Sequence, residues 1–328
     1  MTLINGFQIN TSLIDQLTLE LEEIVVVFDH QLRGEHDAIN ELCGRIEEYR
    51  GKMLRPTLVL LSGLVVPGGC LNNGHRVAAA VVEMIHMATL VHDDVLDEAE
   101  VRRRGRTING LHGNEMAVML GDYLISNAFH LCSTLGKPWV SLELGLITNT
   151  LCEGELIQLF NRNNTKLDQE TYMTIVEKKT ASLIGASCRL GSLLSGAEEM
   201  DAGRLGRFGM KAGVAFQITD DVLDLTGEQD VVGKSVGRDL DKGKLTLPMI
   251  LGLRNATPET RESIIRMIGS RDLVGLRGLL KEVGGVQEAL VMASNLVSEA
   301  KGELEYLPES PAKDMLCTLA DGILDRKF

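Results

Sequence analysis

Apolar residues recur every three to four positions along most of the chain. Two clear examples are Leu13, Leu17, Leu21 and Ile24 near the start, and Val81, Met84, Ile85 and Ala88 further on. This spacing places the apolar side chains on one face of a helix. Strict alternation of apolar and polar residues, which would predict strands, is hard to find. The pattern therefore predicts an all-α protein.

Proline is scarce, and long stretches without it favour uninterrupted helices. None occurs between Pro67 and Pro138, or between Pro138 and Pro248. We predict helices over residues 12–32, 36–50, 56–66, 75–98, 113–135, 139–161, 168–195 and 200–226. The polar, glycine-rich stretch 227–245 is predicted to be a loop or flap. No low-complexity linker divides the chain, so residues 1–328 are expected to form a single domain.

Charge and composition narrow the functional class. The chain carries 46 acidic and 33 Lys or Arg residues, a formal net charge of −13, which argues against nucleic-acid binding. Six scattered cysteines without a CxxC pair fit reduced thiols. The most apolar run, residues 58–66, is too short to span a bilayer. We therefore expect a cytoplasmic protein without a membrane anchor.

Two stretches, residues 93–97 and 220–224, both read DDVLD. Their carboxylates are Asp93, Asp94 and Asp97 in the first motif, and Asp220, Asp221 and Asp224 in the second. On a helix these carboxylates lie close together and repel one another unless a cation sits among them. One such cluster would be an ordinary solvated helix end, but a repeat of all five residues makes coincidence a weak explanation. Hard oxygen ligands without Cys or His indicate Mg²⁺, which usually completes its shell with phosphate oxygens and water.

A bound diphosphate would also need cationic side chains to close its pocket. Candidates in short polar motifs are Lys52, Arg55, Arg102, Arg103, Lys179, Lys234 and Lys244. For any one of them an exposed surface cation is the commoner interpretation, and Arg104 and Arg106 are assigned to that class. His86 lies two helical turns before Asp93 and so on nearly the same face. A lone helical histidine is, however, more often structural.

These motifs, in this order, resemble the trans-isoprenyl (polyprenyl) diphosphate synthase family. The resemblance covers nearly the whole chain and includes GKMLRP (51–56), EMIHMATLVHDDVLD (83–97), KTASL (179–183), AFQITDDVLD (215–224) and GKSVGRDLDKGKLTLP (233–248). It implies one large helical bundle around a central cavity, with the aspartate motifs facing across its mouth, and a homodimer. Arg50 and Arg104 replace glycines of the family pattern, but neither change removes a ligand.

The resemblance also implies roles for individual residues. The six aspartates would be catalytic together with Lys179 and would bind more than one Mg²⁺ ion at the allylic diphosphate. The allylic diphosphate ligands would be Arg102, Lys179, Thr180, Gln217, Lys234 and Lys244. The isopentenyl diphosphate ligands would be Lys52, Arg55, His86 and Arg103.

The resemblance further implies that product length depends on Ala88, five residues or about 7.5 Å along the helix from Asp93. Family members with short products resemble this chain but carry an aromatic residue there or an insertion in the first motif, and this chain has neither. With Ile85, Met84 and Val81 below it, Ala88 would leave a shaft open for products of about C30–C40. The alternative is that Ala88 only packs between helices and the product is short.

Two other classes stay open at this stage. A class I terpene cyclase would share the metal-assisted ionisation but would lack a second substrate site. A non-catalytic subunit of a heteromeric synthase would be expected to have lost aspartates or phosphate ligands, whereas this chain keeps them.

Overall fold

The computed structural model describes residues 11–102, 105–227 and 236–325. The helices are α1 Thr11–Leu32, α2 Asp37–Gly44, α3 Leu54–Leu64, α4 Asn73–Leu96, α5 Ile108–His112, α6 Asn114–Ser133, α7 Pro138–Phe160, α8 Gln169–Val176, α9 Ser182–Leu194, α10 Glu199–Thr226, α11 Arg238–Asp241, α12 Leu247–Asn255, α13 Pro258–Ser270, α14 Leu273–Glu282, α15 Gly285–Gly302 and α16 Pro311–Asp321. A 3₁₀ helix, Arg45–Tyr49, follows α2, and a π-helical turn, Glu177–Ala181, joins α8 to α9. The all-α prediction is confirmed.

The long helices begin and end close to the predicted positions. The predicted helix over 168–195 differs, because the π turn interrupts it. The predicted loop 227–245 also differs, because its described part contains the single helical turn α11. A short antiparallel ribbon was not predicted, since its strands are only two residues long. It pairs β1 Val101–Arg102 with β2 Gly105–Arg106.

The chain divides into two compact units, and the prediction of one domain over 1–328 stays a prediction. The first unit comprises Met1–Thr148, Leu183–Arg207 and Leu304–Leu319. The second comprises Asn149–Ser182, Phe208–Glu303 and Ala320–Phe328.

Helix α4 is the centre of the first unit. It packs against α1, α3 and α6, and its residues from Val77 to Ile85 are all buried. Because apolar residues surround it on every side, α4 behaves as a core helix rather than an amphipathic surface helix. Its N-terminus is capped by Asn72, and its C-terminus carries the first aspartate motif.

Helix α12 is a buried helix of the second unit, as α4 is of the first. It is buried from Leu247 to Leu253 and packs against α15, with α13 and α14 also in contact. Gly285 permits this approach, because a Cβ atom there would lie 2.5 Å from the carbonyl oxygen of Pro248. The second aspartate motif lies in the last two turns of α10.

The cysteine side chains agree with the prediction of reduced thiols. All six cysteine thiols are free, but Cys70 and Cys152 are exposed. Burial raises the pKa of Cys43 to about 11 and that of Cys188 to about 12. No described helix is both long and apolar enough to cross a lipid bilayer.

Candidate active site

The first aspartate motif lies where α4 leaves the core of the first unit. Asp94 is only 2% exposed, whereas Asp93 and Asp97 are half-buried. Asp97 ends the helix, its main-chain N–H donating to the carbonyl oxygen of Asp93 at 2.8 Å. Residues four apart share a helix face, so Asp93 and Asp97 lie together and Asp94 turns inward.

Asp94 is bound by two side chains from other elements. Arg102 in β1 donates from Nη2 to Oδ1 of Asp94 at 2.8 Å. Its Nε donates to both Oδ1 and Oδ2 at 3.0 Å. The hydroxyl of Tyr49 donates to Oδ2 at 3.0 Å. Burial lowers the pKa of Arg102, but the hydrogen bond and charge of Asp94 outweigh it and raise the pKa above the usual value. The buried carboxylate is therefore paired with a permanent cation.

The second motif is built differently around Asp221, which is 4% exposed. The hydroxyl of Tyr172 donates to Asp221 Oδ2 at 2.6 Å, and the amide of Gln217 donates to Oδ1 at 2.7 Å. Burial raises the pKa of Asp221 well above its ordinary value, and the charges of Asp239 and Asp220 raise it further. The two hydrogen bonds only partly offset this, so the site would gain from a cation.

Asp224 connects the second motif to α11. Its carboxylate accepts the main-chain N–H groups of Arg238 at 3.2 Å and Asp239 at 3.1 Å. Burial raises the pKa of Asp224, although these backbone hydrogen bonds act in the opposite direction.

The π turn brings two predicted diphosphate ligands next to the second motif. Thr180 donates to Gln217 Oε1 at 2.9 Å, and Gln217 in turn donates to Asp221. Lys179 donates to Gln158 at 2.9 Å and forms an ion pair with Glu155. Turns of this type inside α-helices often occur at functional sites. Within the second unit, the structure thus brings Lys179, Thr180, Gln217 and the second motif together.

The predicted isopentenyl diphosphate ligands have mixed surroundings. Burial lowers the pKa of Arg55, and the charge of the buried carboxylate Glu83 opposes that shift. Lys52 is exposed and lines an apolar cavity of about 450 Å³ between α1, the start of α3 and α16. His86 is half-buried on α4. Arg103 lies outside the described residues.

Two further predicted ligands of the allylic diphosphate are Lys234 and Lys244. Lys234 also lies outside the described residues. Lys244 is half-buried after α11, and its main-chain N–H donates to the carbonyl oxygen of Asp239 at 2.8 Å.

The predicted chain-length residues are packed rather than exposed to an open shaft. Ala88 and Met84 are 0% exposed and Ile85 is 1% exposed, all inside the first unit. A product channel along these residues stays a prediction, and it would require neighbouring side chains to move.

The donor set of the two motifs fits Mg²⁺. Carboxylate oxygens are its preferred protein ligands, and one or two carboxylates usually suffice when phosphate oxygens and water complete the octahedron. Within the described ranges, no group of three or more His, Cys, Asp or Glu side chains is arranged to hold a metal.

The sequence analysis missed Tyr49 and Tyr172. Each hydroxyl reaches a carboxylate more than forty residues away in the sequence, 45 positions for Tyr49 and 49 for Tyr172. Nothing in the sequence around either tyrosine indicates that its hydroxyl reaches a distant aspartate, because that contact is set by tertiary packing.

Comparison with known proteins identifies the family. A family model described as polyprenyl synthetase matches residues 36–275. The chain belongs to the polyprenyl synthetase family, whose named relatives are prenyltransferase enzymes. The resemblance noted in the sequence is thereby confirmed, and the chain is an enzyme of this class.

Individual relatives cover almost the entire chain. It is 33% identical over 316 residues to octaprenyl diphosphate synthase of Escherichia coli (strain K12), covering 95% of this chain and 97% of that one. It is also 33% identical to heptaprenyl diphosphate synthase component 2 of Bacillus subtilis (strain 168), covering 96% and 88%. A crystal structure of polyprenyl synthase from Caulobacter crescentus CB15, complexed with calcium and isoprenyl diphosphate, is 29% identical with a TM-score of 0.90, covering 96% and 97%.

Proposed function

We propose that this chain condenses isopentenyl diphosphate with an allylic diphosphate, in the presence of Mg²⁺, to give a long all-trans polyprenyl diphosphate. The observation that carries the proposal is the pair of DDVLD motifs at the ends of buried helices, each with a half-buried pair of carboxylates four residues apart. An octaprenyl diphosphate synthase and component 2 of a heptaprenyl diphosphate synthase are each 33% identical to this chain, but a short chain isoprenyl diphosphate synthase of Methanothermobacter thermautotrophicus is 35% identical over 284 residues. The long product is therefore proposed from Ala88 and not from the degree of similarity.

The aspartates of the two motifs would hold Mg²⁺, which when bound stabilises negative charge on the leaving diphosphate as a Lewis acid. Lys179 and Thr180 would donate to diphosphate oxygens, with Arg102, Gln217, Lys234 and Lys244 completing the set. Lys52, Arg55, His86 and Arg103 would hold isopentenyl diphosphate with its double bond toward the allylic carbon.

The reaction itself needs no protein nucleophile. The allylic C–O bond breaks, the isopentenyl double bond attacks the resulting cation, and the released diphosphate takes the proton lost from the adduct. The chain would contribute positioning, charge stabilisation and the exclusion of water from the cation.

A product assay tests the proposal. Purified protein would be incubated with Mg²⁺, isopentenyl diphosphate and farnesyl diphosphate, beside an Ala88→Phe variant, and the dephosphorylated products sized by chromatography. We expect products of about C30–C40 that become shorter in the variant, because the added ring would block growth along α4. Products of C15 or C20 from both proteins would instead indicate a short-chain synthase.

The same assay addresses the heteromeric alternative. The similarity to a protein named component 2 of a heptaprenyl synthase gives that alternative a specific basis. Absence of elongation by the purified chain, despite binding of substrate and metal, would favour a subunit that needs a partner.

We also propose a homodimer. Several large apolar side chains of the first unit are exposed on α6 and α7, namely Met116 45%, Met119 62%, Leu142 76% and Leu146 60%. Exposed apolar patches of this kind often mark interfaces. Sedimentation equilibrium should give twice the chain mass of 35.8 kDa, and a monomer mass would contradict the proposal.

A further inference from the structure

The chain has four tyrosines, and the partners of their hydroxyl groups divide them into two pairs. Tyr123 and Tyr306 donate to main-chain carbonyl oxygens, those of Leu32 at 3.3 Å and Asp201 at 3.1 Å. Tyr49 and Tyr172 instead donate to the middle aspartates of the two DDVLD motifs. Two of the four tyrosines therefore donate to the equivalent carboxylates of the two motifs, Asp94 in the first unit and Asp221 in the second.

Both oxygen atoms of each middle aspartate are occupied by protein donors. Asp94 binds Tyr49 and the guanidinium of Arg102, and Asp221 binds Tyr172 and the amide of Gln217. These two are also the buried members of their motifs. Binding a metal ion here would require these contacts to be exchanged.

The hydroxyl groups join each motif to another element of its own unit. Tyr49 ends the 3₁₀ helix and also accepts the N–H of Ile108 at 3.0 Å, so it connects the first motif with α5. Tyr172 lies on α8, seven residues before Lys179, and connects α8 with the second motif on α10. Each tyrosine therefore fixes the rotation of the helix end that carries the other two carboxylates.

We propose that Tyr49 and Tyr172 are positioning residues that hold Asp94 and Asp221 as internal anchors of the two aspartate motifs. In each motif the anchor orients the other two carboxylates, Asp93 with Asp97 and Asp220 with Asp224, for binding Mg²⁺ and diphosphate. This inference rests on the proposed function, since it assigns a division of labour within the proposed metal site.

Replacement by phenylalanine isolates the contribution of the hydroxyl group. The ring and its packing remain, and one hydrogen bond to a buried carboxylate is lost. Tyr49→Phe and Tyr172→Phe are compared with Tyr306→Phe, a matched control whose hydroxyl donates to the main-chain carbonyl oxygen of Asp201. Each of the two test variants reports on its own motif, so that a folding failure in one leaves the other informative.

The experiment is a titration with Mn²⁺, followed by electron paramagnetic resonance, in the presence of an allylic thiolodiphosphate that cannot readily ionise. We expect the apparent dissociation constant of Mn²⁺ to rise about fivefold in each test variant and to stay unchanged in the control. Lost turnover should be restored by excess metal. Because bound metal also stabilises the folded state, the intrinsic stability of each variant is measured in EDTA. Thermal unfolding of every variant checks that folding is intact.

Two negative outcomes have different meanings. If wild-type protein and both test variants bind Mn²⁺ equally well, or if turnover is lost and excess metal does not restore it, the positioning role is overturned. If wild-type protein binds no Mn²⁺ with the thiolodiphosphate, the proposed function itself fails.

Discussion

The two aspartate motifs carry the same five residues, yet the protein balances their charges in different ways. In the first motif the buried Asp94 faces the permanent cation of Arg102. In the second, the donors to the buried Asp221 among the described residues are the neutral side chains of Tyr172 and Gln217, and the charge of Asp239 acts against it. Identical sequence motifs can therefore mark equivalent sites while having different electrostatics.

This difference has a physical consequence for the protein without metal. An ion pair that is largely buried compensates its own desolvation in part, whereas neutral donors compensate the desolvation of a buried carboxylate less. We infer that the buried carboxylate of the first motif is largely compensated by Arg102 before ligands bind, although Asp93 and Asp97 leave this motif with a net negative charge. Metal binding would therefore stabilise the second motif more than the first.

The largest expected effect comes from removing the cation of the first motif. Arg102→Met should lower the free energy of unfolding by about 3 kcal/mol, because Asp94 would remain buried with no cationic partner. Gln217→Ala is the counterpart in the second motif and should cost only about 1 kcal/mol, the loss of neutral hydrogen bonds. Chemical denaturation of both variants in EDTA measures the two values.

Arg102→Lys serves as the control for this comparison. It keeps the charge but not the two-pronged geometry of the guanidinium group, so it should recover part of the lost stability. Equal losses in Arg102→Met and Gln217→Ala would show that the two motifs are balanced alike.

Sequence alone was sufficient for the parts of this architecture that are local. Helix α1 was predicted over 12–32 and is found at Thr11–Leu32, because the heptad-like spacing of its apolar residues directly specifies a buried helix face. The placement of both DDVLD motifs at helix ends followed in the same way from the apolar residues before them. Lys179, Thr180 and Gln217 were assigned through a family resemblance rather than through geometry.

The remaining features depend on contacts between distant parts of the chain. The contact of Arg102 with Asp94 was not predicted, because it depends on how β1 lies beside the end of α4. Its binding of diphosphate stays a prediction. Tyr49 and Tyr172 could not be assigned, because their partners are set by tertiary packing. Likewise, nothing in the residues EKKTA predicts the π turn that joins α8 to α9.

The smallest expected effect has the opposite sign and concerns Asp221. Because burial and the charge of Asp239 raise its folded-state pKa, folding favours the protonated form. The stability contributed by this group is fully present below the unfolded-state value of 3.8 and is lost as the pH rises through the folded-state pKa. Asp221→Asn does not titrate, and its amide oxygen can still accept the hydroxyl of Tyr172. In EDTA at neutral pH this variant should therefore unfold at a slightly higher temperature than wild type, with a weaker dependence on pH above 3.8.

Asp94→Asn is the matched change in the first motif and should act in the opposite direction, because it removes the ion pair with Arg102. Calorimetric scans of both variants across the acidic to neutral range measure the contrast. Both changes should impair turnover, since each alters an anchor of a motif that would hold the metal. If Asp221→Asn gains stability without metal and loses activity, the second motif lowers the free energy of unfolding when it is empty and is stabilised by its ligand. A fall in the unfolding temperature of both variants would mean instead that the hydrogen bonds of Asp221 outweigh the repulsion from Asp239, and the electrostatic distinction between the motifs would be lost.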